Sequence, residues 1–346
     1  MTLKDSLLWP LTLPYGAISH LRARAYRTRI LKQKDLAGNV ISVGNLTTGG
    51  TGKTPMVIWI AERLAAEGKS VGILTRGYRG ETASKPASSN SSVGTDATGS
   101  TSDEVQLMKA RLGDRVAFGV GADRFARGQE LAKRGVNWFV LDDAFQHLQL
   151  ARDVDIVMID ATNPFGGGHL LPAGRLREPK TALARSDLVV VTRSSHSPAV
   201  EAAVHRETNA PIFYAQAELD SVYSPSHAHL ASHNAREQKL FAFCGIGNPG
   251  AFVADLRGWG FQIVGHKFFP DHYRYTPGDV REIEAEAWAA GAGGLICTEK
   301  DRFNCPCGSV AMDLWVCAIS LRVEREQDFW RTMMATIASR KSDAAR

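Results

Sequence analysis

Residues 47–54 read Thr47-Thr48-Gly49-Gly50-Thr51-Gly52-Lys53-Thr54, and they join a short strand-like run, 40–44, to a helical pattern, 56–66. A glycine-rich turn between a strand and a helix, closed by Gly-Lys-Thr, is typical of a loop that holds the phosphates of a nucleotide. In such a loop the backbone N–H groups surround the phosphates, Lys53 reaches the β- and γ-phosphates, and the hydroxyl of Thr54 binds Mg²⁺. These residues therefore predict a P-loop.

The first position of this loop departs from the usual pattern, G-x-x-x-x-G-K-[ST], because Thr47 replaces the glycine. On this segment alone, a glycine-rich helix entrance with an incidental lysine remains the alternative.

Apolar runs of strand length recur from residue 40 to residue 215, with helical patterns between them. They cover 40–43, 70–75, 116–120, 138–142, 155–160, 188–192 and 212–215. Such an alternation predicts a mostly parallel sheet covered by helices on both faces. The expected fold class is therefore α/β of the P-loop NTPase type, with a kinase domain over residues 36–220.

A second, smaller α/β domain is predicted over residues 238–330, after a polar interdomain linker at 221–237. Its strands are expected at 240–244, 261–265, 293–298 and 314–319, and its helices at 249–259 and 277–290. The C-terminal helix is expected over 324–338, so that 331–346 hold its end and a disordered tail. Residues 81–102, rich in Ser, Thr, Ala and Gly, predict a flexible loop that is either a lid or an insertion without a role.

The composition limits the class of protein. At 346 residues two domains are expected, and 44% hydrophobic with 22% charged residues is typical of a globular protein that is soluble. The net charge of +5 favours an anionic partner. No aromatic-interleaved basic stripe or nucleic-acid-binding motif is present, so nucleic acid is not expected to be that partner.

Five cysteines in a chain of this length indicate reduced thiols in the cytoplasm. Cys305-Pro306-Cys307 has no second cysteine pair or histidine at zinc spacing, so no metal or redox site is predicted there.

Residues 1–35 predict an amphipathic helix at a membrane surface. An apolar part, 7–18, carries Trp9 and Tyr15 and is too short to span a bilayer, which takes about 20 residues. Basic residues follow, from Arg22 to Lys34, and suit an anionic leaflet. The alternative is a helix packed on its own domain with a solvated basic face.

The run 138–141 ends in two carboxylates, Asp142 and Asp143. Downstream of a P-loop this is the Walker B arrangement, in which an aspartate at the end of a strand holds Mg²⁺ directly or through water. His147 follows in the same loop and is expected beside the metal site.

Guanine specificity needs an Asn-Lys-x-Asp element, which is absent after the sixth run, and Thr298-Glu299-Lys300-Asp301 has the wrong order. A GTPase is therefore disfavoured. Phosphoryl transfer to an alcohol would need a base and further cations. The candidates are Asp103, His272 and the Arg175–Glu178 loop, although Asp103 could instead cap a helix, His272 could be exposed, and the arginines could be a solvated charge run.

Several motifs resemble those of the tetraacyldisaccharide 4'-kinases of lipid A biosynthesis, in that family's order and over nearly the whole chain. They are Ser42 to Pro55, Leu74-Thr75-Arg76-Gly77-Tyr78-Arg79-Gly80, Leu141-Asp142-Asp143-Ala144-Phe145-Gln146-His147, Gly168 to Pro179, Phe269-Pro270-Asp271-His272-Tyr273 and Thr298-Glu299-Lys300-Asp301. The family tolerates threonine at position 47.

The resemblance implies ATP-dependent phosphorylation of the 4'-hydroxyl of a tetraacyl glucosamine disaccharide 1-phosphate, at the cytoplasmic face of the bacterial inner membrane. The implied partners are this lipid A precursor and the membrane surface, with no obligatory protein partner. The roles carried over are as follows: Thr47, Gly49, Gly50, Thr51, Gly52, Lys53, Thr54 and Arg124 for ATP; Thr54, Asp142 and Asp143 for Mg²⁺; Asp103 and His272 for catalysis; Arg76, His147, Arg175, Arg177 and Glu178 for the lipid substrate.

The sequence departs from the family at the catalytic aspartate. The family reads Gly-Asp-Glu-Pro where this chain has Ser102-Asp103-Glu104-Val105, so Glu104 is the alternative base. Because Asp103 and His272 fall in different predicted domains, the active site is expected in a cleft that domain closure assembles. Two other hypotheses are a partner-driven P-loop ATPase or GTPase and a non-enzymatic membrane-surface protein with a degenerate nucleotide site.

Overall fold

A computed structural model describes residues 3–77, 102–225, 234–306, 308 and 310–344. The strands are β1 Asn39–Gly44, β2 Val71–Thr75, β3 Ala117–Val120, β4 Trp138–Asp142, β5 Val154–Asp160, β6 Leu188–Thr192, β7 Ile212–Tyr223, β8 Lys239–Cys244, β9 Gln262–Phe268, β10 Gly294–Thr298 and β11 Asp313–Val323. The helices are α1 Leu3–Arg27, α2 Lys53–Ala66, α3 Asp103–Leu112, α4 Arg124–Ala132, α5 Pro198–His205, α6 Asn234–Glu237, α7 Pro249–Gly258, α8 Pro277–Ala289, α9 Glu299–Asn304 and α10 Glu326–Ala344.

Some sequence predictions lie outside the described residues. They are the end of the motif at Tyr78-Arg79-Gly80, the predicted loop from 81 to 101, residues 226–233 of the predicted linker, and Cys307.

Within the described residues the strands form one sheet of eleven, in the order β3-β2-β4-β1-β5-β6-β7-β11-β10-β8-β9. All neighbours are parallel except β7 and β11. The predicted fold class, a mostly parallel α/β sheet of the P-loop type, is confirmed. The division into two domains stays a prediction, since the two series of strands share this one sheet.

The antiparallel pair β7–β11 joins two halves of the sheet. The P-loop half runs from β3 to β7 in the strand order, and the second half runs from β11 to β9. Strand β6 pairs with the start of β7, whereas β10 pairs with the start of β11. Because β7 and β11 run in opposite directions along their ladder, the carboxyl ends of the strands in one half point towards those in the other half. Ligands bind at the carboxyl ends of the strands in open α/β sheets, so a site between the halves is served by both.

The linker prediction at 221–237 is wrong at its start, because residues up to Tyr223 belong to β7. Their pairing with β11 extends to the partners Val316 and Tyr223. The sequence did not reveal this extension, because only the first residues of β7 form a buried apolar run and most of the later ones are exposed or half-buried.

The C-terminal helix also differs from its prediction. Helix α10 continues to Ala344 instead of ending near residue 338. Phe329, Trp330 and Met333 are buried in the same core cluster as Ile60 of α2. The end of the chain therefore packs on the P-loop half of the sheet, although the preceding strand belongs to the other half.

Helix α1 is continuous through Pro10 and Pro14 and ends at Arg27, before the predicted limit at residue 35. Most of the large apolar side chains that are exposed in the described part of the chain lie on α1 and just after it: Trp9, Leu11, Leu13, Tyr15, Ile18, Leu21, Ile30 and Leu31. No helix among the described residues is long and apolar enough to cross a membrane.

Candidate active site

The P-loop follows β1, which lies between β4 and β5 in the sheet. Gly52 has φ 84°, a left-handed conformation that glycine adopts without strain, and α2 begins at the next residue. The hydroxyl of Thr51 accepts a hydrogen bond from Nδ2 of Asn45 at 3.0 Å, and its carbonyl accepts one from Oγ1 of Thr192 at 3.3 Å. These bonds hold the loop against the ends of β1 and β6.

The Walker B strand lies beside the P-loop strand. In the β1–β4 ladder, Val43 is paired with Asp142, so both carboxylates lie where the P-loop begins. Asp143 accepts hydrogen bonds from Nη1 of Arg177 at 2.8 and 2.7 Å, and its Oδ1 is 3.6 Å from Nζ of Lys53. Burial alone would raise the pKa of Asp143, but Lys53 and Arg177 lower it to about 2. Asp143 is therefore ionised and holds both cations in place.

Asp142 has a different environment from its neighbour. It is buried, and its Oδ2 accepts one hydrogen bond from Oγ1 of Thr75 at 3.1 Å. Burial, followed by the negative charges of Glu104 and Asp143, raises the pKa of Asp142 to about 7. A carboxylate with too little positive charge around it is suited to a divalent cation.

Arg124 lies under the same two residues. Its Nη2 donates to the carbonyl oxygens of Asp142 at 2.8 Å and Asp143 at 3.3 Å. Its Nε is buried and has no hydrogen-bond partner in the described part of the structure. A buried guanidinium with a spare donor is suited to an anionic group, and the role of Arg124 towards ATP stays a prediction.

The predicted substrate residues are spread around this centre. Arg175 donates from Nε to the carbonyl of Thr48 at 3.1 Å, which ties its loop to the P-loop. Glu178 is buried, and its Oε2 accepts from Nη2 of Arg185 at 2.5 Å. Its carboxylate therefore pairs with Arg185, apart from the group formed by Asp143, Lys53 and Arg177. Arg76 is exposed at the end of β2, next to the undescribed segment.

His147 lies after β4, as expected, and is partly buried. Burial and the nearby arginines Arg124 and Arg152 lower the pKa of His147 to about 4. This histidine is therefore neutral at physiological pH, when it can accept a hydrogen bond at one ring nitrogen and donate one at the other.

Asp103 and His272 meet between the two halves of the sheet. Nδ1 of His272 is 2.9 Å from both carboxylate oxygens of Asp103. Asp103 is 5% exposed, and burial opposes its ionisation, but the hydrogen bond from His272 and the charge of Lys300 leave its pKa below the ordinary value. That hydrogen bond raises the pKa of His272. The structure therefore joins two residues that are 169 positions apart in the chain.

Glu104, the alternative base, has another partner. Its Oε1 is 3.3 Å from Nζ of Lys300, whose pKa is about 12 because the effect of nearby carboxylates exceeds that of burial. Asp103 is thus the carboxylate that contacts the histidine, whereas Glu104 pairs with Lys300.

The departure from the family motif at residues 102 and 105 forms a local contact of its own. Ser102 is the N-cap of α3, and its Oγ accepts from the backbone N–H of Val105 at 3.4 Å. A proline at 105 has no N–H to donate, and a glycine at 102 has no oxygen to receive it. The two changes therefore complement each other, and Ser102 caps the helix in place of Asp103.

Two site residues other than glycine have left-handed backbone conformations, Asp143 with φ 46° and His272 with φ 61°. Such conformations cost on the order of 1–3 kcal/mol and persist where the surroundings enforce them. For His272 one such restraint is the hydrogen bond from its N–H to the carbonyl of Gly245 at 3.0 Å.

The sequence predictions did not include several residues that contact the site carboxylates Asp103 and Asp142. Nδ2 of Asn304 donates to Oδ2 of Asp103 at 3.1 Å, and Thr75 bonds Asp142. Lys300 and Thr75 lie inside motifs that resemble the family, and these motifs could have indicated them as site residues. No motif in the sequence includes Asn304. Gly247 lies so close to Gly49 and Gly50 that a Cβ there would collide with the P-loop.

Comparisons with known proteins match most of the chain to proteins of one description. The family model described as tetraacyldisaccharide-1-P 4'-kinase matches residues 4–338. A tetraacyldisaccharide 4'-kinase of Geobacter metallireducens is 41% identical over 302 residues, covering 86% of this chain and 87% of that protein. The protein of the same description from Pelobacter propionicus is 38% identical over 300 residues, covering 86% and 82%.

A solved structure shares the whole fold. The crystal structure of LpxK from Aquifex aeolicus in complex with ATP matches with a TM-score of 0.72 and 29% identity. The match covers 97% of this chain and 100% of that one.

Proposed function

Because the chain belongs to the tetraacyldisaccharide-1-P 4'-kinase family, we propose that the site between Lys53 and His272 transfers the γ-phosphoryl group of ATP to its lipid. The acceptor is the 4'-hydroxyl of a tetraacyl glucosamine disaccharide 1-phosphate, and the protein is an ATP-dependent kinase of lipid A biosynthesis. The observation that carries the site assignment is the Asp103–His272 pair, in which Asp103 of α3, on the P-loop half, meets His272 from the other half.

On the donor side, the backbone of Gly49 to Gly52 surrounds the phosphates, and Lys53 offsets the charge that accumulates on the transferred group. Arg177 and Lys53 are held by one carboxylate, that of Asp143, so both cations are placed before ATP arrives. Preorganised cations of this kind stabilise the transition state without further rearrangement.

The donor set beside the P-loop fits Mg²⁺. The hydroxyl of Thr54 and the carboxylate of Asp142 would hold the ion, because Asp142 has an excess of negative charge near it whereas Asp143 is already paired with cations. When bound, the ion supplies charge neutralisation at the β- and γ-phosphate oxygens.

On the acceptor side, Asp103 takes the proton of the 4'-hydroxyl as that oxygen attacks the γ-phosphorus. The bond from the γ-phosphorus to the bridging oxygen breaks, and its electron pair leaves with ADP. Nδ1 of His272 lies within hydrogen-bonding distance of both carboxylate oxygens, so it orients the base and shares the transferred proton.

The test of the function uses the purified chain alone, with ATP, Mg²⁺ and the tetraacyl disaccharide 1-phosphate in detergent. We expect a product that carries one more phosphate, at the 4'-position, together with one ADP per product. A protein that hydrolyses ATP without phosphorylating this lipid, or only with a partner protein, would instead support the partner-driven ATPase.

We propose that α1 places the site at a membrane surface that faces the cytoplasm. Ile18 and Leu21 are 67% and 63% exposed, and the basic residues Arg24 and Arg27 lie in the last turn of the helix. Tyr15 of the same helix donates to the carbonyl of Arg177 at 2.9 Å, so the helix is attached to the loop that reaches Asp143. An exposed apolar face beside cationic residues suits a bilayer with anionic lipids.

Replacing both Ile18 and Leu21 with aspartate should weaken binding to vesicles that contain phosphatidylglycerol by about tenfold or more, because each buried leucine-sized side chain contributes about 1.5–3 kcal/mol. Co-sedimentation measures this binding. The control is Trp288→Asp on α8, which is also 67% exposed but lies far along the chain from α1. Equal losses in the two variants would contradict an α1-specific surface.

A further inference from the structure

Helix α9 packs against α3, and three of its side chains bond to α3. Nη2 of Arg111 donates to Oε2 of Glu299 at 2.7 Å, and Nζ of Lys300 lies 3.3 Å from Oε1 of Glu104. The third contact is that of Asn304 with Asp103. The first two bonds fix the position of α9 relative to α3, so the third is made by a side chain whose backbone is already held.

Asn304 is also held from its own side. Its backbone carbonyl accepts from the N–H of Tyr275 at 3.0 Å. Its amide Nδ2 lies 3.1 Å from Oδ2 of Asp103, whereas the other carboxylate oxygen, Oδ1, accepts from the backbone N–H of Glu104 at 2.9 Å. With one donor on each oxygen, the carboxylate plane of Asp103 is set, and His272 approaches both oxygens equally.

Another residue of α9, Asp301, restrains the histidine. Asp301 is 1% exposed, and its Oδ1 accepts from the N–H of Gly245 at 2.7 Å and from the hydroxyl of Tyr275 at 2.8 Å. The carbonyl of Gly245 in turn accepts from the N–H of His272. One short helix therefore contacts Asp103 directly and holds His272 through a single intervening residue.

We propose that Asn304 is a positioning residue for the phosphoryl-transfer reaction, which orients the carboxylate of Asp103 towards His272 and keeps it ionised. The inference rests on the proposed function, since it assigns Asn304 a role in that site's proton transfer. Asn304 acts through Asp103 and does not itself contact the reacting atoms.

Loss of the Asn304 donor changes the pH dependence of the reaction. The charged groups around Asp103 are His272 and Lys300, with Glu104 next to it on α3 and Asp271 facing His272 at 3.8 Å. A hydrogen bond donated to a carboxylate favours its charged form, so removing the Asn304 donor raises the pKa of Asp103. The acidic limb of the kcat/KM profile, where the base loses its charge, then moves to higher pH.

The experiment compares wild type with Asn304→Ala and with Asn304→Leu, which keeps the branched shape and the number of non-hydrogen atoms but has no donor. We expect kcat to fall by roughly 10- to 100-fold in both variants, because a misplaced catalytic group costs about that much, with the KM for ATP unchanged. The acidic limb should shift upward. In an Asp103→Asn background, Asn304→Ala should add little, since interacting residues are not additive.

The matched control is Gln238→Ala. Gln238 also donates an amide hydrogen bond to a carboxylate, that of Asp313, but it precedes β8 at the amino ends of the strands, away from the site. It should keep the wild-type kcat and pH profile. The inference would be overturned if the Asn304 variants had the wild-type kcat and an unshifted acidic limb. It would also be overturned if Asn304→Ala lowered kcat by the same factor in the Asp103→Asn background as in wild type.

A second readout separates this inference from the proposed function. NMR titration of the His272 ring in wild type and Asn304→Ala needs no activity. We expect its midpoint to fall in the variant, because the hydrogen bond with Asp103 that raises the pKa of His272 weakens once the carboxylate is no longer oriented. An unchanged midpoint overturns the role of Asn304. A wild-type protein that phosphorylates no lipid overturns the proposed function, while the titration still decides whether Asn304 acts on the pair.

Discussion

Replacing Lys53 with alanine should lower kcat/KM for lipid phosphorylation by roughly 10³-fold, because a preorganised cation beside the transferred phosphoryl group is removed. The ammonium of Lys53 lies 3.6 Å from Oδ1 of Asp143 and its side chain is 13% exposed. Asp143 keeps its two hydrogen bonds from Arg177, so the variant leaves no buried carboxylate unpaired and should fold normally. Steady-state kinetics at saturating lipid, with a thermal melt as the folding check, measure the effect.

Lys69→Ala is the control for this change. Lys69 is exposed beyond the C-terminal end of α2, so its replacement removes the same charge without changing the P-loop. Lys53→Arg should recover little activity, because a planar guanidinium does not replace a compact ammonium on a flexible stem. If Lys53→Ala lost no more activity than Lys69→Ala, the assignment of residues 47–54 to the phosphates would be wrong.

Asp103→Asn should lower kcat by about 10²- to 10⁴-fold, which is the usual contribution of a positioned general base. The amide has the shape of the carboxylate but cannot take the proton of the 4'-hydroxyl. Because the P-loop is untouched, the KM for ATP should stay near the wild-type value. The measurement is a single-turnover rate with excess enzyme, which separates chemistry from product release.

Asp114→Asn serves as its control, since Asp114 is exposed in the 3₁₀ turn Gly113–Arg115 that follows α3. Glu104→Gln tests the alternative base. If Glu104→Gln abolished transfer and Asp103→Asn did not, the proton would go to Glu104, and the contact of Asp103 with His272 would be structural.

The parts of the site that lie within one short segment were predictable. The P-loop and the Walker B strand each place their chemistry within a few residues of a strand end, and parallel neighbours bring these ends to one edge. The pairing of Val43 with Asp142 is the observed form of that expectation. The Asp103–His272 contact was expected from family resemblance, since no periodicity links residues so far apart.

Other features could not be read from local patterns. Asn304 and Asp103 are 201 residues apart, and a single asparagine near the end of a short helix carries no recognisable signal. The extension of β7 was missed because its second half is mostly exposed or half-buried, with Val222 as its buried residue. The return of α10 to the P-loop half depends on which apolar surface was left uncovered, and Phe329 and Trp330 meet Trp59 only in the folded chain.

The P-loop, Thr47 to Thr54, separates what the sequence determined by itself from what the tertiary structure decided. Its glycines, lysine and threonine determine a phosphate-binding turn wherever a strand and a helix flank them, because the turn needs only backbone N–H groups and a helix N-terminus. Which acid–base pair would serve that turn was decided by the fold. The antiparallel β7–β11 ladder points the strand ends of both halves at one another, and α9 then joins Asp103 to His272 by hydrogen bonds that exist only between distant parts of the chain.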